Sequence, residues 1–282
     1  RPRWSCCRSS CFPSSSAGIL GCGGGNNAEQ ELARLNDLEP ERVVTGWESA
    51  KWVDLTHPFE ASTVYWPTGT GFEHEVLAAD STEGGYWYAA SRYAAAEHGG
   101  THLDAPYHFA VAGWKTHEIP MERLIGPAVV VDVSDSAAAN PDYTLRLDDI
   151  RQWEAMNGAV PAGCIFLMRC NWDKKWPDPV QVFGSPNPKN TKTLHFPGFS
   201  AEAARFLVER GVDAVGIDTP SLDPGNSTDF VAHRIFAEAN IPGFENVANL
   251  NRLPDGGAWI VAMPMLIQDG TGAPLRIVGV VP

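Results

Sequence analysis

Long apolar runs, positive charge and cysteine are all scarce in this sequence. No uninterrupted apolar stretch approaches the roughly 20 residues that a membrane-spanning helix needs, which predicts a protein that is not embedded in a membrane. The formal net charge is −13, from 21 basic and 34 acidic residues, and this balance disfavours nucleic acid and anionic membrane surfaces as partners. Six cysteines in 282 residues do not indicate a disulfide scaffold.

The first 28 residues differ in composition from the rest of the chain. They contain three arginines and no acidic residue, and are rich in Ser, Gly and Cys. We predict a disordered leader and linker over residues 1–50, with a short helix within 29–50. The leader is read either as the remnant of a targeting segment or as an unfolded extension, so cytoplasmic location is slightly favoured and secretion or an organelle stays open. Its cysteines have no matching second pair at finger spacing, so we assign them to the tail rather than to a metal.

From about residue 51 the chain alternates strand-like and helix-like segments, which predicts an α/β fold. The predicted strands are short apolar runs rich in β-branched residues: 128–133, 164–169, 212–217, 258–264 and 276–281. Helices are predicted over 147–156 and 200–211, the second with Ser200 as N-cap and Gly211 as its stop. The segment 178–198, rich in Pro, Asn and Lys, is predicted to be a long loop of the kind that forms lids.

Three of the eight histidines and an aspartate lie within the eleven residues from His98 to His108. Side chains two residues apart in an extended segment share a face, so we expect His102 and Asp104 to point the same way. The glycine pair that follows His98 permits a sharp turn, which can bring His98 back toward the same point. Two imidazoles and a carboxylate suit Zn²⁺, Mn²⁺ or Fe²⁺, and three protein ligands leave the open position of a catalytic metal.

The alternative interpretation is that these side chains are solvated loop histidines, or groups that satisfy backbone amides. A lone histidine would favour that interpretation, whereas the glycine pair and the aspartate of this cluster favour a metal site. The isolated histidines are assigned to turns or to hydrogen bonds behind the site: His57, His74, His117 and His195.

The stretch "HGGTHLDAPYHF" (98–109) resembles the H-x-G-T-H-x-D-x-P-x-H signature of the metal-dependent cyclase family, which includes bacterial-type kynurenine formamidases and isatin hydrolases. Three further stretches, spread over most of residues 51–282, are similar to the family in the right order: "WVDLTHPFEASTVYWPTG", "FPGFSAEAARFLVERGVDAVGIDTPSLD" and "HRIFAEANIPGFENVANL". The resemblance implies a single α/β domain over residues 51–282 with a mixed sheet, in the swivelling β/β/α, cyclase-like fold.

The resemblance also implies a role for each matching residue. The implied metal ligands are three imidazoles and two carboxylates: His98, His102, His233, Asp104 and Glu245. Asp104 and Glu245 would bridge two cations, so the implied cofactor is one or two divalent ions, Zn²⁺ or Mn²⁺, per subunit. His108 is the implied proton shuttle, with Glu245 as the second catalytic group. Trp66, in the Trp-Pro loop, would pack on the aromatic ring of the substrate.

The implied activity is metal-dependent hydrolysis of a non-peptide C–N bond in a small aryl amide. Arylformamidase activity on N-formylkynurenine, a step of tryptophan catabolism, is favoured, and opening of the cyclic amide isatin is the alternative. A rival from another class is a non-catalytic protein that uses the same pocket to hold a small molecule. The resemblance further implies a homodimer or a homotetramer.

The sequence departs from the family pattern at "RCNW" (169–172), where kynurenine formamidases commonly have Arg-Thr-Gly-Trp. Cys170 and Asn171 replace Thr and Gly, and the long segment 178–198 follows. We expect this region to shape the pocket and hence the choice of substrate. Trp172 is left open between a core residue and a second stacking surface for the substrate.

Overall fold

The computed structural model describes residues 47–282, and a turn at residues 47–49 precedes the first strand. The predicted leader, its cysteines and the rest of the helical linker lie outside the described residues. The strands are β1 (Lys51–Asp54), β2 (Glu73–Ser81), β3 (Trp87–Ala94), β4 (His102–Asp104), β5 (Ile125–Asp132), β6 (Thr144–Leu145), β7 (Ile165–Arg169), β8 (Gly198–Phe199), β9 (Ala214–Ile217), β10 (Gly243–Glu245), β11 (Gly256–Pro264) and β12 (Gly272–Val281). The α-helices are α1 (Ser134–Ala139), α2 (Leu147–Asn157), α3 (Pro179–Val182), α4 (Ala201–Arg210) and α5 (Val231–Glu238).

Seven of these strands close into a barrel, in the order β12-β11-β5-β7-β9-β10-β4, with β4 pairing back onto β12. The long strand β12 pairs with β4 at its start and with β1 at its end. Strands β5, β7, β9 and β10 are parallel, whereas β4, β11 and β12 pair antiparallel. The expected α/β fold with a mixed sheet is confirmed.

The central strands are apolar on both faces because each face is buried against a different partner. In β5, Ala128 and Val130 belong to the apolar cluster inside the barrel, while Val129 and Val131 pack outward with residues of the helices. This double burial produces the continuous apolar runs from which β5, β7 and β9 were predicted. Strands β11 and β12 were predicted from their apolar runs too, although their burial alternates along the strand. Helices α2 and α4 were predicted too, and Ser200 caps α4 by accepting a hydrogen bond from the Ala203 amide at 3.1 Å.

Two parts of the fold differ from the sequence predictions. The segment 178–198 is not a structureless loop: it contains α3 and a 3₁₀ turn, and Leu194 and Phe196 are fully buried in the core. The β2–β3 hairpin was not predicted, because nearly all of its side chains are exposed and the apolar–polar alternation of a half-buried strand is missing. No helix within residues 47–282 has the length and apolar character needed to cross a membrane.

Strand alternation in β4 and β10 sets the orientation of the histidine cluster. Leu103 and Phe244 are register partners in this antiparallel pair, and both are fully buried in the cluster inside the barrel. Their neighbours His102, Asp104 and Glu245 therefore point to the opposite, outer face. Two three-residue strands thus bring residues from distant parts of the chain onto one surface.

Candidate metal centre

One cavity of about 340 Å³ is lined by every residue that the sequence analysis assigned to the site. These residues are His98, His102, Asp104, His108, His233, Glu245 and Trp66. Glu245 is the register partner of His102, so the pairing of β10 with β4 accounts for the approach of the second segment. His233 reaches the cavity from the first turn of α5.

The two buried carboxylates each direct their two oxygens at different imidazoles. Asp104 Oδ1 lies 2.7 Å from His98 Nδ1 and 3.1 Å from His102 Nε2, and Asp104 Oδ2 lies 3.2 Å from His233 Nε2. Glu245 Oε2 lies 3.4 Å from His102 Nε2, and Glu245 Oε1 lies 3.0 Å from His233 Nε2. Each carboxylate therefore faces His233 with one oxygen and the His98–His102 side with the other.

The backbone fixes the proton of His102 on the ring nitrogen that points away from the carboxylates. Nδ1 of His102 lies 3.0 Å from the Gly100 carbonyl oxygen, which can only accept, so Nδ1 is the donor. In the neutral ring, Nε2 is then the unprotonated nitrogen; it is buried and has no hydrogen-bond donor among the described residues. A nitrogen lone pair that faces two carboxylates is unfavourable unless a cation lies between them. The donor set of His102, Asp104 and Glu245 therefore fits a divalent cation.

His233 is oriented in the same way by a residue that the sequence analysis did not single out. Asp223 Oδ2 lies 2.6 Å from His233 Nδ1, and the Asp223 carboxylate also accepts hydrogen bonds from the amides of Ala232 and His233 at 2.9 and 3.0 Å. Asp223 thus satisfies the first turn of α5 and directs His233 Nε2 toward Asp104 and Glu245. No local sequence pattern marks an aspartate that orients a histidine ten residues further along the chain.

The charges within the cluster shift the pKa values of its members. Burial alone would lower the pKa of His102 and His233, but hydrogen bonds and charge from Asp104 and Glu245 raise both, that of His233 well above its usual value. Burial and the charge of Asp104 raise the pKa of Glu245. Burial opposes ionisation of Asp104, yet His98 and the other imidazoles hold its pKa well below the usual value. The cluster therefore favours positive charge, as protons or as a metal ion.

Within the described part of the chain, two sets of three ligand atoms lie within 4.8 Å of one another. One set comprises His102, Asp104 and Glu245, all buried; the other comprises His98, Asp104 and His108. Mixed nitrogen and oxygen ligands of this kind suit Zn²⁺ and Mn²⁺ alike. The site thus has the composition and spacing of a divalent metal centre.

His108 lies at the exposed rim of the cavity, at the end of the 3₁₀ turn Pro106–His108. Its ring stacks on that of His98, with centroids 3.9 Å apart and an interplanar angle of 20°. Loss of hydration lowers the pKa of His108 to about 4, in spite of the opposing charge of Asp104. The imidazole is therefore neutral at pH 7 and able to accept a proton.

Aromatic side chains form another wall of the cavity. Trp66 contacts Phe183 and Phe230 edge-on, with centroids 6.1 and 6.3 Å apart, and Phe109 lies 5.4 Å from Phe230. Trp66, Phe109 and Phe230 all line the cavity. The wall suits a flat aromatic ring. Trp66 was predicted to belong to it, whereas Phe109 and Phe230 were missed because single aromatics are more often core residues.

The expectation that the "RCNW" region shapes this cavity is wrong. Cys170, Asn171 and Trp172 line a separate cavity of about 590 Å³. Trp172 is a core residue, with 4% exposure and its Nε1 donating to the Val182 carbonyl at 2.8 Å. Asn171 has a φ of 57°, a conformation that asparagine tolerates better than most residues, which explains its presence where the family has glycine.

The segment 178–198 does not act as a lid on the cavity either. None of its residues is among the described lining residues, and its contact with the site is indirect, through Phe183 behind Trp66. None of the isolated histidines is among the described lining residues of the cavity, and His195 pairs with Asp142 at 2.9 Å. His117 lies in a 3₁₀ turn, as predicted, whereas the assignment of His74 to a turn is wrong, because this residue lies in β2.

Comparison with known proteins agrees with this geometry. A family model described as "Putative cyclase" matches residues 53–224. Isatin hydrolase of Roseibium aggregatum is 34% identical over 217 residues, covering 74% of this chain and 80% of that protein. Kynurenine formamidase of Bacillus cereus is 28% identical over 234 residues, covering 82% of this chain and 98% of that protein.

The structure of isatin hydrolase A from Ralstonia solanacearum superposes with a TM-score of 0.76 at 28% identity, over 94% of this chain and all of that one. The family model spans more than half of the sequence and includes His98, His102 and Asp104, whereas Glu245 lies beyond the residues that it matches. This chain therefore belongs to the cyclase family.

Proposed function

We propose that this protein hydrolyses the C–N bond of a small aryl amide, and that the substrate is a cyclic amide of the isatin type. The observation that carries the choice is the charge of the cavity: no Lys or Arg is found among its described lining residues. N-formylkynurenine carries a carboxylate and an ammonium group at neutral pH, and the carboxylate would lack a cationic side-chain partner. Isatin is uncharged and flat, and needs only the aromatic wall and the metal centre.

The comparisons support the same order of candidates. The sequence analysis favoured arylformamidase activity, with isatin hydrolysis as the alternative. However, this chain is 34% identical to an isatin hydrolase and only 28% identical to a kynurenine formamidase. Arylformamidase therefore becomes the second candidate. Its support is that a kynurenine formamidase aligns over 98% of its own length.

In this proposal, five residues would hold one or two Zn²⁺ or Mn²⁺ ions: His98, His102, Asp104, His233 and Glu245. A bound divalent cation lowers the pKa of water to about 7 and polarises a carbonyl group. Asp104 and Glu245 each direct one oxygen at His102 and the other at His233, so their position would let them bridge two ions.

The remaining groups would position the substrate and move a proton. Trp66 and Phe230 would stack against the aromatic ring and direct the amide toward the carboxylates. Water adds to the amide carbon, the C–N bond breaks, and the leaving aniline nitrogen needs a proton. His108, neutral at pH 7 because its pKa is lowered to about 4, would take the proton from water and deliver it to that nitrogen.

A homodimer or homotetramer is the proposed assembly. Trp87, Tyr88 and Tyr93 on the β2–β3 hairpin are each more than half exposed, at 65%, 53% and 52%. A two-stranded hairpin is only marginally stable alone, and exposed apolar surface of this kind commonly marks an interface.

Sedimentation equilibrium is expected to give a dimer or tetramer, and Trp87→Ser is expected to weaken the association between subunits. A strict monomer at micromolar concentration would contradict the proposal.

Substrate preference tests the function directly. We expect isatin to be hydrolysed with a higher kcat/KM than N-formylkynurenine, because the cavity offers no cationic partner for a carboxylate. Steady-state assays of both substrates, with metal content measured on the same sample, check this. The reverse preference would establish the arylformamidase, and a metal-loaded protein that hydrolyses neither would leave the non-catalytic binding protein.

Removal of one imidazole tests the metal centre. His102→Ala is expected to abolish both bound metal and hydrolysis, because His102 Nε2 faces both carboxylates and belongs to the fully buried ligand set. Mass spectrometry of the metal content and the isatin assay measure the two effects. His195→Ala is the matched control: its imidazole pairs with Asp142 outside the cavity, so metal and activity should persist. Full activity of His102→Ala would refute the metal-dependent mechanism.

Cation binding should release protons. Asp104 and Glu245 raise the pKa of His102 and His233, so protons occupy these imidazoles up to a higher pH than usual and compete with the cation. We expect the affinity for Zn²⁺ or Mn²⁺ to fall as the pH is lowered. Calorimetric titration in buffers of different ionisation enthalpy counts the protons released per cation. Binding with no proton release and no pH dependence would be inconsistent with this site.

A further inference from the structure

His98 differs from the other two histidines in the nitrogen that it presents to the carboxylates. His98 faces Asp104 with Nδ1 at 2.7 Å, whereas His102 and His233 both face the carboxylates with Nε2. The other nitrogen of His98, Nε2, lies 2.8 Å from Oγ1 of Thr271, in the turn that precedes β12. Neither ring nitrogen is therefore left without a neighbour, and the position of the proton depends on Thr271.

Glu97 determines the direction of the hydrogen bond between Thr271 and His98. Glu97 Oε2 lies 2.6 Å from Thr271 Oγ1, 2.8 Å from the Thr271 amide and 3.3 Å from the Gly272 amide. With two amide donors already on this oxygen, Glu97 acts as the acceptor and the single hydroxyl proton of Thr271 is donated to it. Thr271 Oγ1 can then only accept from His98, so Nε2 of His98 carries a proton, and in the neutral ring Nδ1 keeps its lone pair.

Close packing keeps the His98 ring in this orientation. A Cβ atom at Gly272 would lie 2.5 Å from His98 Cε1, so the backbone of β12 approaches the ring edge as closely as glycine allows. His108 stacks on one face of the ring. The ring is thus held by contacts at its edge and face, in addition to its two polar contacts.

We propose that Thr271, held by Glu97, is a positioning residue that fixes the tautomer of His98 and so makes Nδ1 the nitrogen that His98 offers to a cation. The proposal rests on the metal-binding function proposed above. The contact between Thr271 and His98 nevertheless exists without a metal, so the two proposals can fail separately.

Thr271→Val tests this role, since valine keeps the shape of threonine and removes its acceptor. The Nε2–H of His98 would lose its partner, and the proton would move to Nδ1, where Asp104 can accept it. We expect the metal-free variant to show the Nδ1–H tautomer of His98 in two-bond ¹H–¹⁵N correlation spectra of histidine-labelled protein. The original protein and Thr271→Ser, which restores the hydroxyl, should both keep a proton on Nε2. Signals missing from His98→Gln assign the residue.

Cation affinity is the second readout. Titration of the metal-free protein with Co²⁺, followed by absorbance, is expected to show a loss of about 10–100-fold for Thr271→Val, the usual effect of removing a group that orients a ligand. Thr271→Ser should bind close to the original affinity. Thr116→Val is the matched control: the buried Thr116 hydroxyl bonds the carbonyls of Gly270 and Gly272 in the same backbone segment without contacting His98. It should change neither tautomer nor affinity.

Specific results would overturn the proposal. If Thr271→Val weakens Co²⁺ binding while His98 keeps the Nε2–H tautomer, or if Thr116→Val has the same effect, Thr271 only supports the backbone. An unchanged tautomer and affinity in Thr271→Val would also overturn it. If the original protein binds no Co²⁺ at all, the metal function fails, and the tautomer spectra still decide whether Thr271 positions His98.

Discussion

The meeting of two buried carboxylates with three imidazole nitrogens is the interaction on which the rest of the site depends. Each imidazole has its far nitrogen engaged: His98 by Thr271, His102 by the Gly100 carbonyl, and His233 by Asp223. The near nitrogens therefore face Asp104 and Glu245 as lone pairs unless extra protons are bound. Buried carboxylates that face nitrogen lone pairs need positive charge between them to be stable. A divalent cation supplies two positive charges at one position, whereas each proton supplies one.

The closure of the barrel makes this meeting possible. Strand β4 has only three residues, yet it pairs with β10 on one side and with the start of β12 on the other. Because β4 lies between β10 and β12, Asp104 lies between Glu245, on β10, and Thr271, in the turn just before β12. The alternation of β4 and β10 buries Leu103 and Phe244 inside the barrel and leaves the charged neighbours on the outer face. The same burial that stabilises the fold thus orients the ligands.

Local patterns in the sequence were sufficient for some parts of this account and insufficient for others. The apolar runs of β5, β7 and β9 are visible because both faces of these strands are buried, and the spacing of His102 and Asp104 is visible because they share a strand face. His233 lies 129 residues from Asp104, so its approach is set by the barrel and not by spacing; only the family resemblance pointed to it. Asp223, Glu97 and Thr271 act through other residues and leave no local pattern. The prediction that the "RCNW" residues shape the substrate cavity failed. A departure from a family sequence pattern does not reveal which cavity the altered residues line, and these residues line a separate one.

Anomalous X-ray scattering at the zinc or manganese edge, from crystals grown with the corresponding ion, tests the central claim most directly. We expect a peak within coordination distance of His102 Nε2 and an oxygen of both Asp104 and Glu245, with a second peak beside His233 Nε2 if two ions bind. A map with full ion occupancy elsewhere and no peak in this cavity would refute the proposed metal centre.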